Sequence, residues 1–221
     1  MSKEKLLKYN DALSQVYDQA TTGAFKWRAP KESNLLVLPY VKNGTSVLDI
    51  GIGTGQSSEA LYRAGCKITG IDISAKMLEI TKEKFPKFEL YNADVEDDLS
   101  MLKNREFDIV VAIGILEFVD DIGKVFKRIH RFLGPDGLFC FTYEEYLPKS
   151  RLQKWRISEL GRGLIEPKAS FLVHRYTPKQ IQKMLKKEDL RILKTKAFMA
   201  YLKSQEKIPV YYQIVLTQKS S

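Results

Sequence analysis

Three carboxylates lie at or just after the ends of three short β-rich segments of the sequence, which are predicted to be strands. Asp49 precedes a glycine-rich turn, Asp72 closes the next β-rich segment, and Asp94 follows a third. The carboxyl ends of parallel strands share one edge of an open α/β sheet, which is where such sheets bind ligands. Asp72 can accept hydrogen bonds from both hydroxyls of an adenosine ribose, and Asp94 from the adenine amino group, with Val95 against the ring. The three acids therefore predict a site for an adenosine-containing compound.

Glycine recurs at every second position directly after Asp49, at Gly51, Gly53 and Gly55 in the run VLDIGIGTG at 47–55. Glycine adopts positive φ and lets the backbone approach a ligand closely, as a turn beneath a bound nucleotide requires. By itself the run is also compatible with a NAD or FAD site, or with a plain tight turn. The interval of 21 residues from Gly51 to Asp72 favours the nucleotide interpretation.

The segments around these residues alternate between short β-rich runs and amphipathic helical patterns. The predicted strands cover 46–50, 67–71, 88–91, 107–113 and 138–143. The predicted helices between them cover 56–63, 74–85 and 122–133. Near-continuous apolar strands that alternate with amphipathic helices indicate a parallel sheet covered on both faces, so we expect an α/β fold.

The last part of the chain breaks this alternation. After a helix predicted over 178–187, two β-rich runs at 190–202 and 209–217 are joined by a loop too short for a crossover helix, which predicts an antiparallel hairpin at the edge of the sheet. We expect one domain with four parts. These are an N-terminal helical lid (1–42), a cofactor-binding core (43–144), a substrate-side insertion (145–177), and a terminal helix and β-hairpin (178–221).

Four motifs resemble those of the class I (Rossmann-like) S-adenosylmethionine-dependent methyltransferases, and the small-molecule members of that family look most similar. The motifs are VLDIGIGTG at 47–55, GIDISAKML at 70–78, FDIVVA at 107–112 with LEFV at 116–119, and LGPDGLF at 133–139. The resemblance covers roughly residues 45–145. It implies a three-layer α-β-α sandwich whose seven-stranded, mostly parallel sheet has the order 3-2-1-4-5-7-6, with the last hairpin strand antiparallel.

The same resemblance implies a cofactor, S-adenosylmethionine, a product, S-adenosylhomocysteine, and a set of binding positions without a metal. The glycine loop would lie under the methionine part of the cofactor, while Ile113 and Gly114 would line the methyl-transfer side. The full set of implied positions is Asp49, Gly51, Gly53, Gly55, Asp72, Ile73, Met77, Asp94, Val95, Ile113 and Gly114.

A catalytic triad is not required for this chemistry, because transfer from a sulfonium depends chiefly on alignment and exclusion of water. An O–H or N–H acceptor would still benefit from a general base. The candidates are His174, in a His-x-Tyr pattern with Tyr176, and Glu117, just after the fourth strand. Each also has a structural interpretation, a core histidine and a surface charge at a helix entry. Phe118 stands where many family members carry histidine, which argues against a base at that position.

The distribution of charge and several aromatic residues indicate which kinds of molecule the protein could bind. The net charge is +9, with an acidic middle at 41–146 and a basic region at 147–221. Basic flanks can attract an anionic small-molecule acceptor or a nucleic acid, or can form an ordinary lysine-rich surface. Tyr17 and Trp27 in the lid are either ligand-stacking or core aromatics. One basic stretch mixes charge with an aromatic ring, as single-strand nucleic-acid sites do: Arg151, Lys154, Trp155 and Arg156.

Three other functions stay open beside methylation of a small molecule. A NAD-dependent oxidoreductase is disfavoured because Gln56 stands where the dinucleotide fingerprint has its last glycine. An RNA or other nucleic-acid methyltransferase is disfavoured because the sequence has no Asp/Asn-Pro-Pro-Tyr/Phe tetrapeptide and no RNA-binding motif. A non-catalytic binding protein with the same fold is the third. Two isolated cysteines and the lack of a long apolar run lead us to expect a cytoplasmic protein without a membrane partner.

Overall fold

The strands that carry the three acids lie side by side in one sheet. The computed structural model of the protein describes residues 3–23, 26–149, 153, 157–161, 170–203 and 208–220. The strands of this part are β1 (Ser46–Ile50), β2 (Lys67–Asp72), β3 (Glu89–Asn92), β4 (Phe107–Ala112), β5 (Leu133–Glu144), β6 (Ile157–Gly161), β7 (Ser170–His174), β8 (Leu190–Lys203) and β9 (Ile208–Lys219). Seven of them form the main sheet, in the order β3-β2-β1-β4-β5-β9-β8, and β6 pairs with β7 separately.

The topology of the main sheet confirms the predicted fold. Strands β1 to β5 are parallel to one another, whereas β9 is antiparallel to both β5 and β8. When the main-sheet strands alone are counted along the chain, their order is 3-2-1-4-5-7-6, as expected. The separate pair β6–β7 only shifts the labels of the last two strands.

Helices cover both faces of the sheet and make the predicted sandwich. They are α1 (Lys3–Leu13), α2 (Tyr17–Thr22), α3 (Ala29–Val37), α4 (Glu59–Arg63), α5 (Ala75–Lys84), α6 (Ile122–Phe132) and α7 (Pro178–Lys187). Helices α6 and α7 pack on one face, where Val125, Phe126 and Ile129 are fully buried. Helices α3, α4 and α5 contribute to the apolar cluster on the other face, through residues such as Ala29 and Leu61. The two clusters meet opposite faces of the same strands because successive strand residues point to opposite sides.

Strand β5 begins earlier than predicted. Gly134 to Gly137 reads as a turn in the sequence, but it lies within β5 as a bulge. The pairing of β4 with β5 jumps from Phe107–Leu133 to Ile109–Leu138 across this bulge, and Asp136 there has a φ of 57°. The turn-forming residues thus add residues to one strand without ending it, because the pairing with β4 resumes after them.

Two further boundaries differ from the sequence prediction. Helix α4 begins at Glu59, not at Gln56, because residues 55–58 form turns in which the Ser58 amide donates to the Gly55 carbonyl (3.2 Å). The insertion at 145–177, in which weak periodicity indicates no particular strand, contains the antiparallel pair β6–β7 in its described residues.

Both cysteines of the chain are buried and free. Cys140 is fully buried in β5, as its apolar neighbours indicate, and Cys66 is buried as well. Across the described ranges, no helix has both the length and the apolar character that a membrane-spanning segment requires.

Candidate functional site

The glycine loop after β1 has the strained backbone that the sequence predicts. Gly51, Gly53 and Gly55 have φ values of 71°, 53° and 85°, a region that favours glycine. The amides of Gly51 and Ile52 both donate to the carbonyl of Ile71 (2.8 and 3.1 Å), which anchors the loop to the end of β2. A Cβ at position 51 would come within 2.2 Å of the Ile115 side chain. Glycine is therefore required at position 51 by both conformation and space.

Asp49 lies beneath this loop and is fully buried. Its Oδ2 accepts hydrogen bonds from the Ser57 and Ser58 hydroxyls (2.6 and 2.7 Å), and its Oδ1 has no partner among the described residues. Burial raises the pKa of Asp49 to about 7, although both serine bonds favour the charged form. Through these two hydrogen bonds, Asp49 holds residues 57 and 58, which follow the glycine loop, against the end of β1.

Asp72 lies at the tip of β2, where its carboxylate connects two loops. Its Oδ2 accepts from the Gly53 amide and its Oδ1 from the Ser74 amide, each at 2.8 Å. Burial raises the pKa of Asp72 to about 6, while these backbone hydrogen bonds lower it. A carboxylate offers about four lone-pair sites, so Asp72 keeps acceptor capacity for ligand hydroxyls.

The end of β3 places the third acid near the N-terminus. Asp94 accepts from the Glu96 amide through Oδ1 (2.8 Å), and its Oδ2 lies 2.6 Å from the Lys3 ammonium. Val95 is buried beside it, and its carbonyl accepts from Arg128. The structure therefore brings Asp49, Asp72 and Asp94 to one edge of the sheet. Two other predicted positions adjoin them: Ile73, half-buried after β2, and Met77, buried in α5.

Side chains of the N-terminal helices bond to the loops after β1 and β2, a set that sequence reasoning missed. Asp18 accepts from Thr54 Oγ1 (2.6 Å), Gln56 Nε2 (2.7 Å) and Lys84 Nζ (2.8 Å). Asp11 of α1 accepts from the Ser74 hydroxyl (2.6 Å) after β2. The lid itself is predicted, but only contacts between segments distant in sequence identify these acids.

The end of β4 forms the other side of the site. Ile113 is buried, and Gly114, with a φ of 75°, donates its amide to Thr142 Oγ1 (2.8 Å). A Cβ at position 114 would lie 2.8 Å from the Trp27 ring. A cavity lies between this strand end, the glycine loop and the lid; its walls include Tyr17, Trp27, Gly51, Gly53, Gln56 and Ile113.

The two candidate bases lie in adjacent elements. Glu117 is in the short 3-10 helix Leu116–Phe118 and is buried, with Oε1 accepting from Tyr212 Oη at 2.6 Å. Its interpretation as a surface charge is therefore wrong. His174 closes β7, which packs against that 3-10 helix, and its Nε2 lies 3.7 Å from Asp120 Oδ1.

Comparison with known proteins agrees with this geometry. Residues 48–141 match a family model described as a methyltransferase domain. A ubiquinone biosynthesis O-methyltransferase from Coxiella burnetii is 28% identical over 149 residues, which cover 64% of this chain and 62% of that protein. Its counterpart from Bordetella avium is 35% identical over 113 residues, covering 49% and 46%. The chain thus spans less than two thirds of the length of these relatives.

Solved structures resemble the whole fold at low sequence identity. A Burkholderia thailandensis 1,6-didemethyltoxoflavin-N1-methyltransferase has a TM-score of 0.72 at 16% identity, covering 99% of this chain and 89% of that one. The [4+2]-cyclase SpnF has a TM-score of 0.73 at 15% identity, covering 97% and 95%. Residues 48–141 thus form a methyltransferase domain, and the sheet order and the glycine loop with its strand-end acids are like those of the class I S-adenosylmethionine-dependent methyltransferases.

Proposed function

We propose that the protein transfers a methyl group from S-adenosylmethionine to an oxygen, nitrogen or carbon nucleophile of a small molecule. The observation that carries this proposal is the Asp72 carboxylate at the tip of β2, joined to the Gly53 amide at 2.8 Å. The same carboxylate can accept hydrogen bonds from ribose hydroxyls and also holds the loop on which the rest of an adenosyl compound would lie.

The residues along this edge support each of the predicted cofactor contacts. The glycine loop offers the close backbone approach that the methionine part needs, and the remaining lone pairs of Asp72 suit the ribose hydroxyls. Asp94 and Val95, after β3, would contact the adenine. Asp94 already pairs with Lys3, so it can hold the lid and the cofactor at once. S-adenosylmethionine, when bound, supplies an electrophilic methyl group, and the protein aligns the acceptor and excludes water.

A base at the end of β4 would assist an O–H or N–H acceptor. Glu117 is the first candidate for this base. Its carboxylate is buried, and it follows Gly114, which would line the methyl-transfer side, by three residues in the sequence. His174 is the second candidate, since β7 packs against the helix that holds Glu117. Either group would take the proton that the acceptor loses.

The acceptor class rests on the relatives and on the charge pattern. The names of the curated relatives specify O-methylation in ubiquinone biosynthesis, which supports an oxygen nucleophile on a small molecule. The basic region at 147–221 would suit an anionic acceptor. A nucleic-acid acceptor is the second candidate, but Arg151, Lys154, Trp155 and Arg156, on which it depends, lie outside the described residues. We also infer a cytoplasmic location, which two buried free cysteines support.

Thermal unfolding with added ligands tests the cofactor. S-adenosylhomocysteine at a hundredfold excess over its Kd should stabilise the protein by about 2.7 kcal/mol, which raises Tm by roughly 5–10 °C. NAD at the same concentration should leave Tm unchanged. A rise with NAD and none with S-adenosylhomocysteine would reject the proposal in favour of an oxidoreductase. Salt-sensitive RNA binding would instead favour the nucleic-acid acceptor.

A further inference from the structure

Gln56 is the side chain of the cavity wall that connects the glycine loop to the lid. It follows Gly55 in the turns before α4 and lines the cavity. Its Nε2 donates to Asp18 Oδ1 at 2.7 Å and to Thr21 Oγ1 at 2.8 Å, and both of these residues belong to α2. An amide nitrogen carries two hydrogens, so these two bonds use its full donor capacity. The amide of Gln56 therefore presents its nitrogen to the lid.

The two lid partners fix which way this amide points. Burial would raise the pKa of Asp18, but the hydrogen bonds to its carboxylate outweigh burial and hold the pKa below its ordinary value. Asp18 is therefore ionised at neutral pH and has no proton to donate. The Thr21 hydroxyl donates its proton to the Tyr17 carbonyl at 2.7 Å. Because neither partner has a proton for an amide oxygen, the nitrogen must lie on the lid side and the oxygen on the other.

The amide oxygen of Gln56 is left as an acceptor on the cavity wall. Within the described ranges, Oε1 accepts no hydrogen bond and is not among the fully buried polar atoms. The hydroxyls of Thr54 and Ser57 on the same wall already donate to carboxylates behind it, at 2.6 Å each. An amide oxygen offers two lone pairs, and the negative charge of Asp18 behind this wall favours a cation. The wall at Gln56 thus suits a ligand group that is a positively charged hydrogen-bond donor.

We propose that Gln56 determines specificity for the amino-acid end of the cofactor, with Oε1 accepting a hydrogen bond from its α-ammonium group. This inference rests on the proposed function, in which the methionine part lies on the glycine loop. Asp18 and Thr21 are positioning residues, because they hold the amide nitrogen and so turn the oxygen toward the ligand. A ligand without the ammonium group loses this contact but keeps those of its adenine and ribose. Glycine at position 56, as in the dinucleotide fingerprint, would provide no such acceptor.

Calorimetric titration of the full chain at neutral pH with three ligands tests this contact. The ligands are S-adenosylhomocysteine, its deamino analogue, with hydrogen in place of the α-ammonium group, and its decarboxy analogue, with hydrogen in place of the carboxylate. Gln56→Met removes the amide at a similar side-chain length. We expect this variant to weaken binding of S-adenosylhomocysteine and of the decarboxy analogue about tenfold more than binding of the deamino analogue, because only the first two carry the ammonium group.

Lys84→Met separates the ammonium contact from a general loosening of the lid. Lys84 Nζ donates to Asp18 Oδ2 at 2.8 Å and to the Thr54 carbonyl at 2.7 Å, and it does not line the cavity in the described part of the chain. Like Gln56→Met, this variant loses contacts of the lid, but it should weaken binding of all three ligands by the same factor. Thr21→Val removes one of the two acceptors that orient Gln56, so it should produce a smaller selective loss, about threefold.

The outcomes distinguish this inference from the function on which it rests. If Gln56→Met weakens all three ligands equally, or if Lys84→Met shows the same selective loss, the ammonium contact is wrong and the methyltransferase proposal stands. A loss that spares the decarboxy analogue would place Gln56 at the carboxylate and would also overturn the inference. If S-adenosylhomocysteine does not bind to the wild-type protein, both are wrong. Circular dichroism of each variant establishes that it is folded.

Discussion

Asp72 combines a raised pKa with a position at the ribose side of the proposed cofactor site. Because burial raises its pKa to about 6, part of the population is protonated in mildly acidic buffer. A protonated carboxyl loses acceptor capacity, so affinity for S-adenosylhomocysteine should rise as pH increases through about 6 and then level off. Asp72→Asn should weaken binding roughly tenfold or more and flatten this profile. Calorimetric titration between pH 5 and 8 measures both effects.

An exposed acid provides the control for this experiment. Asp98, in the loop after β3, is exposed, so Asp98→Asn should keep the wild-type affinity and profile. An unchanged affinity in Asp72→Asn would remove Asp72 from the cofactor site.

Alanine substitutions at Gly51 and Gly44 distinguish the effect of backbone strain from the effect of lack of space. Both have positive φ, 71° and 87°, so alanine is strained at either position by about 1 kcal/mol or more. A Cβ at position 51 would overlap Ile115, whereas nothing lies within 4 Å of one at position 44. Gly51→Ala should therefore lower the free energy of unfolding by about 3 kcal/mol and impair cofactor binding, and Gly44→Ala only by about 1. Urea denaturation of the two variants measures the difference; equal losses would contradict the steric argument.

A site residue can be predicted from the sequence when the residues next to it in the chain form a recognisable pattern. Asp49 and Asp72 lie at the ends of β-rich runs, so strand-end position alone predicts that they share an edge. Asp18 and Tyr212 have no such local signal, because their roles depend on contacts with loops 36 and 95 residues away in sequence. Glu117 is predicted as a candidate, but its burial depends on β5 and β7, which pack against its short helix, and its hydrogen bond comes from Tyr212 of β9.

At the scale of elements, α2 is tied to the glycine loop mainly through Asp18. Burial would raise the pKa of Asp18, but hydrogen bonds from Lys84, Thr54 and Gln56 outweigh it and hold the pKa below its ordinary value. Asp18→Ala removes all three bonds, so the lid should detach more readily. We expect S-adenosylhomocysteine to dissociate about tenfold faster, as measured by stopped-flow fluorescence.

Two variants control for indirect effects of this change. Glu4→Gln alters another acid of the N-terminal helices, one whose ion pair with Lys8 is exposed, and should leave the dissociation rate unchanged. Thr177→Ala breaks the capping box of α7 and should cost about 1 kcal/mol of stability without affecting dissociation. Faster dissociation in Thr177→Ala would show that general destabilisation, not the lid, controls release.

The elements themselves are predicted from sequence to different degrees. The alternation of strands and helices over 46–143 is strongly patterned, and the short loop at 203–207 is enough to predict an antiparallel hairpin. The pair β6–β7 escapes prediction because its periodicity is weak and because it lies outside the main sheet. The bulge in β5 is not predicted from the sequence for another reason. Gly134 and Gly137 favour a turn locally, and only the neighbouring strands show that the pairing continues.

At the scale of the whole molecule, burial of two acids at the sheet edge makes stability depend on pH. Asp49 has a pKa of about 7 in the folded protein and an ordinary value of 3.8. Between these values the folded state binds more protons than the unfolded state, so the free energy of unfolding falls as pH rises. Asp72, with a pKa of about 6, acts in the same direction over a narrower range. Above about pH 7 both contributions are complete and level off.

Asp49→Asn tests this linkage, because its side-chain oxygen can still accept from Ser57 and Ser58 while no charge is buried. Relative to the variant, the wild-type protein should lose stability between pH 4 and pH 8, by an amount on the order of a few kcal/mol. Comparing the two proteins at each pH cancels the titration of His130, whose pKa is lowered by burial and by Lys219. Urea denaturation across this range gives the difference directly. A constant difference would mean that Asp49 titrates alike in the folded and unfolded chains, and that its burial beneath the glycine loop leaves its ionisation unchanged.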